Sequence, residues 1–69
     1  MERYNVTVTY KSGDQALLNF GEIEGLITEI STIVKNKEIL RVQIWDQKNL
    51  EDITCNSRYA RRINSRNEK

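Results

Sequence analysis

The sequence predicts a two-layer α+β domain of order ββαββ, with one helix packed on a four-stranded sheet. Three observations carry that expectation. Glu22 to Lys37 hold the one apolar stripe with helical spacing. The segments on either side alternate with the period of strands. The chain has 69 residues, room for one domain and one small core.

Arg3 to Lys11 places Tyr4, Val6, Val8 and Tyr10 on one face and Asn5, Thr7 and Thr9 on the other. This is a half-buried strand of high β-propensity. Lys11-Ser12-Gly13-Asp14 is turn chemistry, and Gln15 to Phe20 is the second strand. In an antiparallel hairpin, opposed residues share a face. The apolar faces agree when Tyr10 opposes Ala16, Val8 opposes Leu18 and Val6 opposes Phe20, across a loop of Ser12 to Asp14. Leu17 is then opposite Thr9, on the other face of the sheet.

In the helix, Ile23, Leu26, Ile27, Ile30, Ile33 and Val34 line one stripe. Glu22 and Glu24 in the first turn, with Lys35 and Lys37 in the last, complement the helix dipole. Asn36 suits a left-handed C-cap. Gly25 is discordant, since a glycine inside a helix costs about 1 kcal/mol against alanine. The stripe reads as core, because strands with matching apolar faces flank it.

Ile39 to Trp45 reads as the third strand, Asp46 to Asn49 as a turn and Leu50 to Cys55 as the fourth strand. If Trp45 opposes Leu50, then Leu40, Val42, Ile44, Ile53 and Cys55 face the helix. Ile39, Arg41, Gln43, Trp45, Leu50, Asp52 and Thr54 face away. The element order over residues 3–55 resembles the protein-G-like β-grasp in topology. That resemblance implies a central last strand. Here the third strand is the more apolar one, which sets the antiparallel order 2-1-3-4 against it as a competing choice, and both orders stand at this point.

Residues 1–55 form the expected domain and 56–69 a basic C-terminal segment. The first part holds six basic and nine acidic side chains, net −3; the second holds five and one, net +4. Ser57 can cap a short helix in which Tyr59 and Ile63 share a face, while the last five residues read as a frayed end.

The composition leaves enzyme chemistry little to work with. There is no histidine and one cysteine, so no Cys/His pair and no thiolate–imidazole metal site is expected. Cys55 reads as a buried, inert thiol. The three glycines are scattered and form no phosphate-cradling loop. No cofactor is expected. No apolar run approaches the ~18 residues of a membrane span. One cysteine excludes an internal disulfide and fits a reducing cytoplasm.

Two surfaces remain as candidates. The first is the sheet face away from the helix, where Leu17, Ile39, Trp45 and Leu50 form an apolar interface for a protein partner or a second copy of the chain. Cover by the C-terminal segment, with Tyr59 and Ile63 over Trp45, is the structural alternative. The second is a nucleic-acid surface of Arg58, Arg61, Arg62 and Arg66, with Arg41 and Trp45 as a stacking platform. Set against it is a solvated basic tail. In size and in its isoleucine- and asparagine-rich composition, the chain resembles the short accessory proteins of phages and mobile elements in low-GC bacteria, host-defence inhibitors among them. That resemblance implies a non-catalytic protein-binding module, an inhibitor or adaptor, which self-associates or binds a host protein.

Overall fold

The computed structural model describes residues 2–66. The elements are β1 (Tyr4–Tyr10), β2 (Gln15–Phe20), α1 (Ile23–Ile33), β3 (Ile39–Asp46), β4 (Glu51–Asp52), a 3-10 turn (Thr54–Asn56) and α2 (Arg58–Arg66). The sheet is antiparallel in the order β2-β1-β3-β4. The last strand is therefore at an edge, and the central last strand implied by the β-grasp resemblance is not the one observed. The fold is α+β, as the sequence predicts, with two helices on the sheet in place of one.

Both helices pack on the same face. Tyr4, Val6 and Val8 of β1, Ile39, Val42 and Ile44 of β3, Leu26, Ile30 and Val34 from the α1 segment, and Ala60 and Ile63 of α2 form one buried cluster. Within the segment 56–69, read as a basic tail or a short helix, α2 thus supplies part of the core. Ser57 caps α2 as its sequence suggests: its Oγ accepts the Ala60 amide at 3.2 Å and its carbonyl accepts that of Arg61 at 3.0 Å. Of the five residues expected to fray, Ser65 and Arg66 complete α2, and 67–69 lie outside the described residues.

Three strand assignments change. The first hairpin keeps a three-residue loop, but that loop is Lys11 to Gly13, closed by the Tyr10 amide on the Asp14 carbonyl at 2.8 Å. Gly13 has φ +100°, the left-handed residue that such a loop requires. Val8 then opposes Ala16, Val6 opposes Leu18 and Leu17 opposes Thr7. The faces survive because the shift preserves the two-residue period.

In β3 the shift does not preserve it. Tyr10 opposes Ile39 while Thr9 opposes Arg41, so Leu40 is the inserted residue of a β-bulge. One inserted residue reverses the faces beyond it. Ile39 is buried and Leu40 exposed, the opposite of what alternation predicts.

The third change is at β4. Trp45 opposes Asp52 and Asp46 opposes Glu51, with Leu50 in the preceding turn at φ +53°. Strand structure ends at Asp52, and the chain turns through Thr54–Asn56, leaving Cys55 exposed.

A two-residue β4 leaves most of the outer edge of β3 without a neighbouring strand. Side chains fill the place. The Thr54 Oγ accepts the Ile44 amide at 2.8 Å. The Asn64 carboxamide accepts the Val42 amide at 2.9 Å and donates to the Val42 carbonyl at 3.0 Å. Arg66 donates to the carbonyls of Val34 at 2.6 Å, Asn36 at 2.5 Å and Ile39 at 3.3 Å. A guanidinium thus supplies the positive charge at the end of α1 that Lys35 and Lys37 were expected to provide. Asn36 is not left-handed; its side chain accepts the Glu38 amide at 2.9 Å and turns the chain into β3.

At the other end of β3, Asp46 is buried and forked to Arg3, at 3.1 Å to Nε and 3.0 Å to Nη2. The same carboxylate accepts the amides of Lys48 and Asn49. The Arg3 bonds, foremost, and these amides hold its pKa at about 2 against the opposing effect of burial.

Two outcomes are expected. Asn64→Ala strands the Val42 amide and carbonyl and costs about 2–3 kcal/mol in urea unfolding. In the unfolded chain Asp46 titrates near ~3.9 and so takes up its proton at higher pH than the folded state. Its stabilising contribution is full above that pH and is lost as the pH falls towards about 2. Asp46→Asn should remove that portion of the acid dependence of unfolding. A smaller part of the same sign remains from Asp52, whose pKa the Thr54 side chain and amide lower.

Candidate functional site: a groove between the helices

The two candidate surfaces do not assemble as the sequence suggests. Across the open face the sheet runs in rows: Leu17–Thr7–Gln43, Asn19–Asn5–Trp45–Asp52 and Gln15–Thr9–Arg41. Leu17 and Trp45 are two strands and one pleat step apart, roughly 12 Å by ordinary strand spacing. Polar side chains fill the space between. Asn5 donates to Asn19 and accepts from Gln47, and Gln15 donates to Thr9 at 3.3 Å. Leu50 projects from a turn at 71% exposure, and Ile39 is in the core. Of the four proposed interface residues, Leu17 and Trp45 alone share the face, and they do not touch.

The expected cover over Trp45 is also absent, because α2 lies on the opposite side of the sheet. There Ile63 is fully buried and Tyr59 half-buried. That placement separates the nucleic-acid constellation too. Arg41 and Trp45 share the open face with Gln43 between them. Arg58, Arg61 and Arg62 are exposed on α2, on the far side. Arg66 is committed to the end of α1.

What the two helices create together is a groove. Its apolar end, of about 310 Å³, is lined chiefly by Ile23, Leu26, Ile27, Ile44, Ile53 and Tyr59. Ile23 is 42% exposed and Ile27 is 47% exposed, although both belong to the stripe read as core. The stripe spans about 120° at 100° per residue, and the sheet takes up the part centred on Leu26 and Ile30. Ile23 and Ile27 overhang towards α2. Phe20, on the other flank of α1, lies 3.6 Å from the position a Cβ at Gly25 would occupy, an ordinary contact that a small side chain can make.

The other end of the groove is cationic. Lys35, Lys37, Arg62 and Arg66 surround Ser31 and Val34, and Tyr59 borders both ends. Among the described residues no carboxylate lines either end. Four of the lysines and arginines thus converge here from two segments far apart in sequence. The breadth of the stripe was the signal for the apolar end. The cationic end had no local signal, since it depends on where α2 docks.

Among the described residues no group of three or more His, Cys, Asp or Glu side chains is placed to hold a metal ion. No helix among them is long and apolar enough to cross a membrane. The fold and groove define a small α+β domain with a two-ended cleft. Comparison with protein-family models, with curated proteins and with solved structures finds no match to this chain.

Cys55, expected in the core, is exposed in the 3-10 turn. A thiol reagent should therefore modify it fully in the native protein without denaturant, as read by mass spectrometry. Protection until unfolding would contradict its placement.

Proposed function

We propose that this chain is a small non-catalytic protein-binding module, an adaptor or inhibitor working in the reducing cytoplasm. It takes its partner in the groove between α1 and α2 rather than on the open sheet face. The observation that carries this reading is the pairing of exposed Ile23 and Ile27 with a cationic end holding Lys35, Lys37 and Arg62. Apolar side chains left half in water beside a concave surface are the usual anchor points of interfaces. The charges add direction and register.

The occupant that fits is a protein segment with apolar anchors at one end and Asp or Glu at the other. Its apolar side chains replace water on Ile23, Ile27 and Tyr59. Its carboxylates face Lys35, Lys37 and Arg62. A groove between two helices suits the helix-in-groove mode of recognition.

A second reading has its own observation. α2 exposes Arg58, Arg61 and Arg62, and among its nine residues there is no acidic side chain. These arginines would bind phosphates by counterion release, without Arg41 or Trp45.

The test is a peptide-display selection on the intact chain, followed by titration of the selected peptides against variants. The reading expects sequences with apolar and acidic residues together. Their affinity should fall at least about tenfold, or 1.4 kcal/mol, with Ile27→Glu and with Arg62→Glu, and hold with Trp45→Ala. Peptides indifferent to both groove variants would sink it. The second reading expects single-stranded nucleic acid to bind at ~50 mM salt. It also expects a log–log salt slope near −2 for three contacts at about −0.7 each, abolished when the three arginines are replaced by alanine.

A further inference from the structure

The two edges of the sheet are treated differently. On the β3 side, β4, Thr54 and Asn64 occupy the outer backbone groups. On the β2 side no strand follows among the described residues. Antiparallel pairing alternates residue by residue. The Tyr10 amide on the Asp14 carbonyl sets the even-numbered residues of β2 towards β1. The amides and carbonyls of Gln15, Leu17 and Asn19 therefore point outward.

Edge strands are normally guarded by charge, proline, a bulge or shortness. The six residues QALLNF have no charge and no proline, and their pairing with β1 runs without a register shift. Leu17, at the middle, is 75% exposed. On the helix face of the same strand Ala16, Leu18 and Phe20 are half-buried, at the margin of the core.

We propose that β2 pairs antiparallel with β2 of a second copy of this chain, about a twofold axis through Leu17. The sequence is complementary to itself in that register. Leu17 meets the partner's Leu17, Gln15 meets the partner's Asn19 and Ala16 meets the partner's Leu18. Over residues 15–19 every opposed pair is apolar with apolar or amide with amide, and no charge meets its like. The two four-stranded sheets become one of eight strands, and the exposed Leu17 gains cover from its own copy. A shift of one residue sets Leu17 against the helix-face Ala16 or Leu18, and a shift of two sets it against the amide of Gln15 or Asn19.

The contact is short, below the roughly 1,200 Å² of a standard stable interface. The dimer is accordingly concentration-dependent. It does not involve the groove between the helices, so it stands or falls separately from that reading.

Sedimentation equilibrium on the intact chain between about 1 µM and about 1 mM tests it. The weight-average mass should climb from that of one chain towards twice that value. Leu17→Lys places two ammonium groups across the axis and should hold the protein at the monomer mass throughout. Leu50→Lys, equally exposed but in a turn, should leave the dimer unchanged. In a Cys55→Ser background, Leu17→Cys should form an interchain disulfide under mild oxidation, because directly opposed residues lie about 5.5 Å apart between Cα atoms. Leu50→Cys in that background should form none. A wild-type chain that stays monomeric over the whole range overturns the proposal. So does a dimer that survives Leu17→Lys and leaves Leu17→Cys unlinked.

Discussion

The rest of this structure depends on how the outer edge of β3 is closed. β3 is a central strand for its whole length on the β1 side, but β4 opposes no more than Trp45 and Asp46 on the other. Unpaired backbone groups next to a core are costly, so they must find partners. Asn64 supplies one donor and one acceptor to Val42, in the manner of a strand residue, and at Ile44 the Thr54 Oγ accepts the amide while the Ile53 amide donates to the carbonyl. A carboxamide has that two-way capacity, which a charged or apolar side chain lacks. Its placement fixes α2 against the sheet, and through it the burial of Ala60 and Ile63. Arg66, one half-turn further on, then reaches the end of α1. The groove between the helices follows from this closure.

The bulge at Leu40 is the second constraint. A strand that alternated through Ile39–Asp46 would put Leu40 in the core and Ile39 in water. The inserted residue lets Ile39 pack beside Tyr10 while Val42 and Ile44 keep their places. Leu40 is left exposed as a consequence of this geometry, so its apolar surface has a structural cause. The exposures of Ile23, Ile27 and Leu17 differ in that respect. Ile23 and Ile27 line a concave apolar surface, and Leu17 lies on an edge strand.

The open sheet face, by contrast, is largely self-satisfied. Asn5, Asn19 and Gln47 form a ladder of amides across three segments, and Gln15 bonds to Thr9. Trp45 sits in this polar field at 40% exposure. A single aromatic on such a face contributes partial burial without a contiguous apolar patch, and isolated exposed apolar side chains are ordinary on protein surfaces. Exposed apolar side chains beside an apolar concavity or on an edge strand are Ile23 and Ile27 on the helix side and Leu17 on β2.

By itself the sequence determined the elements with strong periods: the alternation of β1, the faces of the first hairpin, the helical stripe from Ile23 to Val34, and the Ser57 cap of α2. These are local properties, written in spacings of two and of three or four residues. It also determined the α+β class, since those periods occur in the order ββαββ. The strand order, the bulge, the two-residue β4 and the side of the sheet on which α2 docks were decided by tertiary structure. So was the assembly of Lys35, Lys37, Arg62 and Arg66 around one cleft. The reason is common to all of them. Each turns on which distant backbone group or apolar surface a side chain meets, as when Asn64 finds Val42 across 22 residues, and periodicity along the chain carries no record of such encounters.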